Sequence, residues 1–480
     1  MKIMKTIKYL FIGMLATVVS VPALAQFDDH SAVISQISKV IKDKGANVEA
    51  EVKSVVKANK KNADVLTAIG RAYLEVKDLD NAKKYADMAI ARNKQYGAAY
   101  VLLGDIEVLK DDGGAASSWF QQAIYFDPKN PDGYVRYAQT NQKASLPNAI
   151  SKLEDLRAQV PSYPVDALCG DLYQGAGNIK KALESYAKAD KSKLEASQLV
   201  NYAMDYYLTG DFNKSLEVST FGNQKFPRNA ALNRISFWDY TNLKDYEKAL
   251  SFADRLFTQS DSAKITSKDY LHQGYVYLGL EDYAKAIETF GKAYDEGEEY
   301  VDDRLDALKN ISTAYQKQGD IENAVGTYDK YLKTKPEITA ADMGALATMW
   351  QNHAKTLTGE EKAAAQLKAD AVWAEIAEKF PSVAHVAYNN RARIAVSLDP
   401  ESTQGLAKPH YEKVAELLAD KADRTANETK YLIDAYHYLG AYYTIVANEK
   451  EQGDYYWNKM LELDPENKTA KIALGLIKPE

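Results

Sequence analysis

The 480-residue chain is 46% hydrophobic and 26% charged, the balance of a folded protein, and its 13 prolines and 25 glycines exclude a long disordered tract. At this length a single hydrophobic core no longer grows with the chain, so the sequence must divide into domains or repeat a small unit along an axis. A net charge of −7 excludes a typical nucleic-acid binder, and one cysteine excludes an internal disulfide.

Lys2, Lys5 and Lys8 precede an apolar run from Tyr9 to Val21, and Ala23 and Ala25 flank Leu24 just before Gln26. That is the layout of a secretory signal peptide over residues 1–25, cleaved after Ala25. The run is shorter than the about 20 apolar residues needed to cross a bilayer, so no transmembrane segment is expected. No cysteine follows the cleavage site, which argues against a lipid anchor. Loss of the leader removes three lysines and no acid, taking the charge from −7 to −10. The expected location is the periplasm first and the extracellular space second.

Residues 26–60 read as an N-terminal helical cap, with helices from Ser31 to Lys42 and Val48 to Ala58 separated by Gly45. Over 61–336 the chain aligns with itself. Small residues at Gly70, Gly104, Ala138, Gly170, Ala203, Gly274 and Ser312, with Phe237 in the same slot, mark eight units, at steps of 32 to 38 residues. With that residue numbered position 8 of its unit, Leu66, Tyr100, Tyr134, Tyr270 and Leu308 fall at position 4. Tyr73, Tyr173, Tyr206, Tyr240, Tyr277 and Tyr315 fall at position 11. Spacings of three and four put these on one helix face.

A second helix brings Ala82, Ala116, Ala182, Ser215, Ala249, Ala286 and Ala324 to position 20, aromatics such as Phe120, Tyr186, Phe290 and Tyr328 to position 24, and Ala89, Ala123, Ala189 and Ala293 to position 27. Small residues at 8, 20 and 27 predict close helix approach, with the rings at 4, 11 and 24 filling the space beside them. Gly177, Gly210 and Gly319 end first helices in the left-handed conformation, and Asn178, Asp211 and Asp320 cap the helices that follow. Pro128, Pro227 and Pro336 stop second helices.

The pattern weakens over 337–466. There Met343 to Lys355 pairs with Glu361 to Phe380, Tyr388 to Ser397 with Leu406 to Leu418, and Lys430 to Ala447 with Gly453 to Leu463. Residues 467–480 supply a C-terminal capping helix, from Lys468 to Ile477.

The period and the small and aromatic positions resemble the tetratricopeptide repeat (TPR) family, with its 34-residue helix–turn–helix unit. The resemblance covers Ala63 to Pro336 closely and continues in degenerate form to Pro465. It implies an all-α fold: a right-handed superhelical solenoid of about eleven units with terminal caps, acting as a non-catalytic scaffold of the bacterial cell envelope that binds a protein or peptide in its concave groove.

The residues offer no competing chemistry. None of the six histidines makes a zinc-hydrolase spacing, no G-x-S-x-G elbow is present, and Cys169 falls in a packing slot. Gly175 to Lys180 resembles a phosphate loop, but it occupies the ordinary inter-helix turn. The acidic cluster from Asp295 to Asp306 lacks calcium-loop spacing and reads as charge at a helix start. No metal or cofactor is expected.

In TPR arrays positions 2, 5, 6, 9, 12 and 13 of the first helix line the groove. In repeats five to eight the resemblance assigns Asn201, Met204, Tyr207, Arg234, Trp238, His272, Tyr275, Lys309, Asn310, Thr313 and Gln316 to partner contact. The Lys, Asn and Arg pattern that grips a partner's terminal carboxylate in one TPR subclass is missing: the slots hold Thr67, Arg71, Leu102, Asp132 and Arg136. The alternatives are an assembly role through oligomerisation and a glycan-binding role for the tyrosines, of which the chain has 34.

Overall fold

The computed structural model describes residues 30–44 and 47–478, so the leader and Gly45 lie outside it. Among the described residues there are twenty-five α-helices and no strand. Contacts divide the chain into two compact units after Ala263.

The first unit holds α1 (Ser31–Lys42), α2 (Val48–Ala58), α3 (Ala63–Glu75), α4 (Leu79–Arg92), α5 (Gly97–Leu109), α6 (Gly113–Phe126) and α7 (Pro131–Asn141). It continues with α8 (Leu146–Gln159), α9 (Val165–Gly175), α10 (Ile179–Tyr186), α11 (Ala196–Leu208), α12 (Phe212–Lys225), α13 (Ala230–Asn242) and α14 (Tyr246–Asp254). The second unit holds α15 (Ser267–Gly279), α16 (Tyr283–Glu296), α17 (Val301–Gln318), α18 (Ile321–Thr334), α19 (Ala340–Ala354) and α20 (Gly359–Lys379). It ends with α21 (Ala384–Leu398), α22 (Lys408–Leu418), α23 (Ala426–Ala441), α24 (Lys450–Leu463) and α25 (Lys468–Ala473). Within each unit every helix packs on its neighbours in sequence, as a solenoid of helix–turn–helix repeats requires.

One turn recurs. In seven of the eight pairs from α3 to α18, the residue seven beyond position 8 has φ between 60° and 82°. It is Gly177, Gly210 or Gly319 in three of them and Lys77, Asp111, Lys244 or Glu281 in the other four. The next residue then caps the second helix: Asp78, Asp112, Asn178, Asp211, Asp245, Asp282 and Asp320 each accept from a backbone N–H three residues on, at 2.9–3.4 Å. The prolines 128, 227 and 336 each follow a helix end by two residues, at Phe126, Lys225 and Thr334.

In repeats two, four and seven position 8 is a glycine because a ring lies on it. A Cβ added to Gly170 would stand 2.5 Å from the Tyr186 ring, and one on Gly274 2.5 Å from Phe290. Gly440, in the degenerate region, meets Trp457 in the same way at 2.7 Å. Repeat six inverts the arrangement, with Phe237 fully buried at position 8 and Ala253 at position 24. The ring has moved from the second helix to the first, which conserves the filled volume.

The C-terminal helix, expected from Lys468 to Ile477, ends at Ala473; three further expectations change. Position 11 is not core: Tyr73 is buried, but Tyr173, Tyr206, Tyr240, Tyr277 and Tyr315 are half-buried. In four repeats a lysine covers the ring instead, with Lys181, Lys214, Lys248 and Lys285 standing 5.3–5.5 Å from the centroids of Tyr173, Tyr206, Tyr240 and Tyr277. The last three lysines also pair with the capping Asp211, Asp245 and Asp282.

Second, α10 stops at Tyr186, so Ala189 lies in a turn; Asp190 caps a 3₁₀ segment (Lys191–Lys193) and Leu194 takes the buried place. Third, the helix expected to run to Ala447 ends at Ala441 and passes into a π-helical turn, Tyr442–Val446. Position 24 here is Trp457, seventeen residues after Gly440 where the regular repeats have sixteen. A π-turn absorbs one inserted residue, and the left-handed residue likewise slips by one to Asn448.

Candidate functional site

The candidate groove residues of the first unit sit on α11 and α13. The Tyr207 ring lies 5.6 Å from Trp238 and 5.4 Å from Phe212, and Asn242 donates to the Trp238 carbonyl at 2.8 Å. Asn201 and Arg234 are half-buried. Met204 and Trp238, expected to face a ligand, are instead buried at 4% and 6% exposure. Their position falls where neighbouring first helices meet, so their apolar surface is used inside the array. Burial also pushes the Tyr207 hydroxyl up to about 12, which keeps it a protonated donor at neutral pH.

In the second unit the candidates sit on α15 and α17. The Tyr275 ring packs edge-on against Phe290 at 5.4 Å, and its hydroxyl donates to Asp306 at 2.8 Å. Asp306 in turn accepts from Asn310 through its backbone carbonyl, at 2.7 Å. His272 bonds the Lys268 carbonyl at 2.9 Å, and desolvation pushes its imidazole down to about 4, so the ring is neutral at physiological pH. Thr313 donates to the Lys309 carbonyl at 2.9 Å, while Lys309 and Gln316 are exposed. The structure thus joins Tyr207 to Trp238 and Tyr275 to Asn310, and leaves Lys309 and Gln316 as the open side chains of the set.

Two carboxylates of these faces, Asp105 and Asp171, went unassigned in the sequence, and a third, Asp303, was read only as helix-start charge. Asp105 bridges Arg71 and Arg136, at 3.3 Å to each. Asp171 accepts from Tyr186 at 2.7 Å and from Gln198 at 2.8 Å, with Asn201 as a third partner; burial raises its carboxyl and these bonds pull it down. Asp303 accepts from Ser267 at 2.5 Å, which accounts for one member of the acidic cluster. Asp302 lies in the first turn of α17, where the helix dipole favours negative charge. Cys169 is buried, and burial pushes its thiol up to about 12, consistent with a packing role.

The helix hairpins share a cap and a left-handed residue, and the family model for the tetratricopeptide repeat matches residues 67–131 and 271–344. Those two stretches are tetratricopeptide repeats. The chain is similar to a TPR repeat-containing protein of Methanocaldococcus jannaschii, 25% identical over 59% of this chain and 53% of the relative. The chain therefore spans about half the length of that curated relative. Among solved structures, the C-terminal part of a TPR protein from Cytophaga hutchinsonii shares 25% identity over 57% of this chain and 99% of its own, with a TM-score of 0.43. A TPR protein from Parabacteroides merdae shares 18% over 52% and 98%, with a TM-score of 0.33. No TPR helix among the described residues is long and apolar enough to cross a membrane.

Proposed function

We propose that this TPR protein is a non-catalytic scaffold of the bacterial cell envelope, exported by the leader of residues 1–25, that holds a protein or peptide partner along the first-helix faces. The observation that carries the reading is preorganisation. Polar side chains on those faces are fixed by neighbours in the adjoining repeat, as Asp105 fixes Arg71 and Arg136 and Asp306 fixes Tyr275. A surface already ordered loses little side-chain entropy when a partner docks, which suits a binding face.

Lys309 and Gln316 are the exposed members and the ones a partner would touch. Exposed substitutions usually move stability by no more than about ±0.5 kcal/mol. Lys309→Ala with Gln316→Ala should therefore reduce the capture of partners from native envelopes while leaving the melting temperature of the chain unchanged. Equal capture by the wild type and the double variant would remove this face of the second unit from the reading.

A further inference from the structure

Repeats five and six of the first unit differ from the others in what lies between their helices. On α12, Ser215, Ser219 and Asn223 are buried in one row at four-residue spacing, and α13 faces them with buried Ser236 and Asp239. Asn223 donates to Ser236 at 2.8 Å, and Ser236 donates to Ser219 at 2.8 Å. The row then ends in orphans. Neither carboxylate oxygen of Asp239 has a partner in hydrogen-bond geometry, nor does the Ser215 hydroxyl; that hydroxyl is the one group near enough to favour the carboxylate, and burial outweighs it.

One repeat earlier Asp205, on α11, repeats the situation. It is 1% exposed against 0% for Asp239, and neither of its oxygens is bonded. A buried carboxylate without donors is costly as an anion and far less so as a neutral acid. The neutral form also gains a donor, which Ser215 can accept.

The surrounding charges do nothing to hold the anions. Asp171 on α9 acts on Asp205 as a like charge, and Tyr186 of α10 is the other titratable group near it. Tyr207 on α11 is the titratable group facing Asp239. From α12, Lys214 pairs with Asp211 at 3.3 Å; at α14, Lys248 pairs with Asp245 at 2.7 Å and Arg255 covers the Phe252 ring.

We propose that Asp205 and Asp239 make α11 to α13 a proton-locked segment, closed while both carboxyls keep their protons and opened locally as rising pH draws those protons off in the open state. Desolvation pushes Asp205 up to about 7 and Asp239 up to about 8, against about 4 for an exposed aspartate. The sign follows from linkage. Between about pH 4 and those values the closed state holds protons that the open state has lost, so closure weakens throughout that window and levels off above it. Opening uncovers Met204 and Trp238, which the closed array keeps from solvent. The lock itself requires no partner, so it stands or falls apart from the binding reading.

Hydrogen exchange on the full chain from pH 5 to pH 9, corrected for intrinsic exchange rates, tests it. Protection in α12 and α13 should fall about tenfold per pH unit for each carboxylate uncovered, and flatten above about pH 8. In α7 and α8, where no carboxylate is buried, protection should stay level over the same range. Asp205→Asn with Asp239→Asn should abolish the slope in α12 and α13. Equal slopes in both regions, or a slope that survives the substitutions, would overturn the proposal. Because the regional contrast is read in the wild type, the test still decides if the double variant fails to fold.

Discussion

Repeat seven and repeat six fill the same slots in opposite ways. In repeat seven Gly274 receives the Phe290 ring and the surrounding cluster is apolar, with Leu271, Ala286, Ala293 and Ala307 buried about it. In repeat six Phe237 occupies the glycine slot, Ala253 the ring slot, and a row of serines, Asn223 and Asp239 replaces apolar side chains on the seam with the preceding helix. Between these two repeats the filled volume is kept. Which helix carries the ring and whether the seam is dry differ between them.

The largest effect expected is from Phe290→Ala, which should lower stability by about 3–5 kcal/mol in denaturant unfolding, as truncation of a fully buried ring does. If volume is what the slot specifies, adding Gly274→Phe should recover part of that loss by copying repeat six. A double variant no more stable than Phe290→Ala would show that the two arrangements are not interchangeable.

On the polar side of the comparison, Ser236→Ala removes one hydroxyl and leaves Asn223 and Ser219 only their long 3.4 Å bonds to the Leu232 and Leu216 carbonyls, at an expected cost of about 1–3 kcal/mol. Removing all three together, with Asn223→Leu, Ser219→Ala and Ser236→Ala, should bring the chain back toward wild-type stability, because the unmet groups go as a set. Tyr277→Ala should cost about 2 kcal/mol, roughly half the value for a fully buried ring, since this ring is half-buried under Lys285. The smallest effect is a gain. Lys244→Gly and Glu281→Gly replace side chains held at φ 61° and 60°, and each should raise stability by up to about 1 kcal/mol in thermal unfolding.

Much of this architecture was legible because it is local. Helix capping by Asp211 and Asp320, the left-handed Gly210 and Gly319, and the small residue at position 8 each depend on neighbours within one hairpin, and sequence spacing reports those directly. The fate of the aromatic residues was not legible, because it depends on the next hairpin. Trp238 and Met204 occupy slots that can face a partner or an adjoining helix, and periodicity cannot separate the two. The position-11 tyrosines misled for the converse reason: the lysine that covers them lies on the paired helix, eight residues on, and lysine is read as solvent-facing. A signal for the buried acids was present, since Asp171, Asp205 and Asp239 recur at steps of 34, a spacing that surface charges have no reason to keep.

The inverted ring of repeat six has a consequence for how such an array can change length. Tandem repeats grow and shrink when recombination joins the first helix of one unit to the second helix of another. A crossover between repeats six and seven would join Phe237 to Phe290, placing two rings where one fits, or Gly274 to Ala253, leaving the slot empty. Either hybrid carries a defect that its parents lack. The boundary between repeats six and seven is thus a poor place for such an exchange, because each half is fitted to the ring its own partner helix carries or lacks.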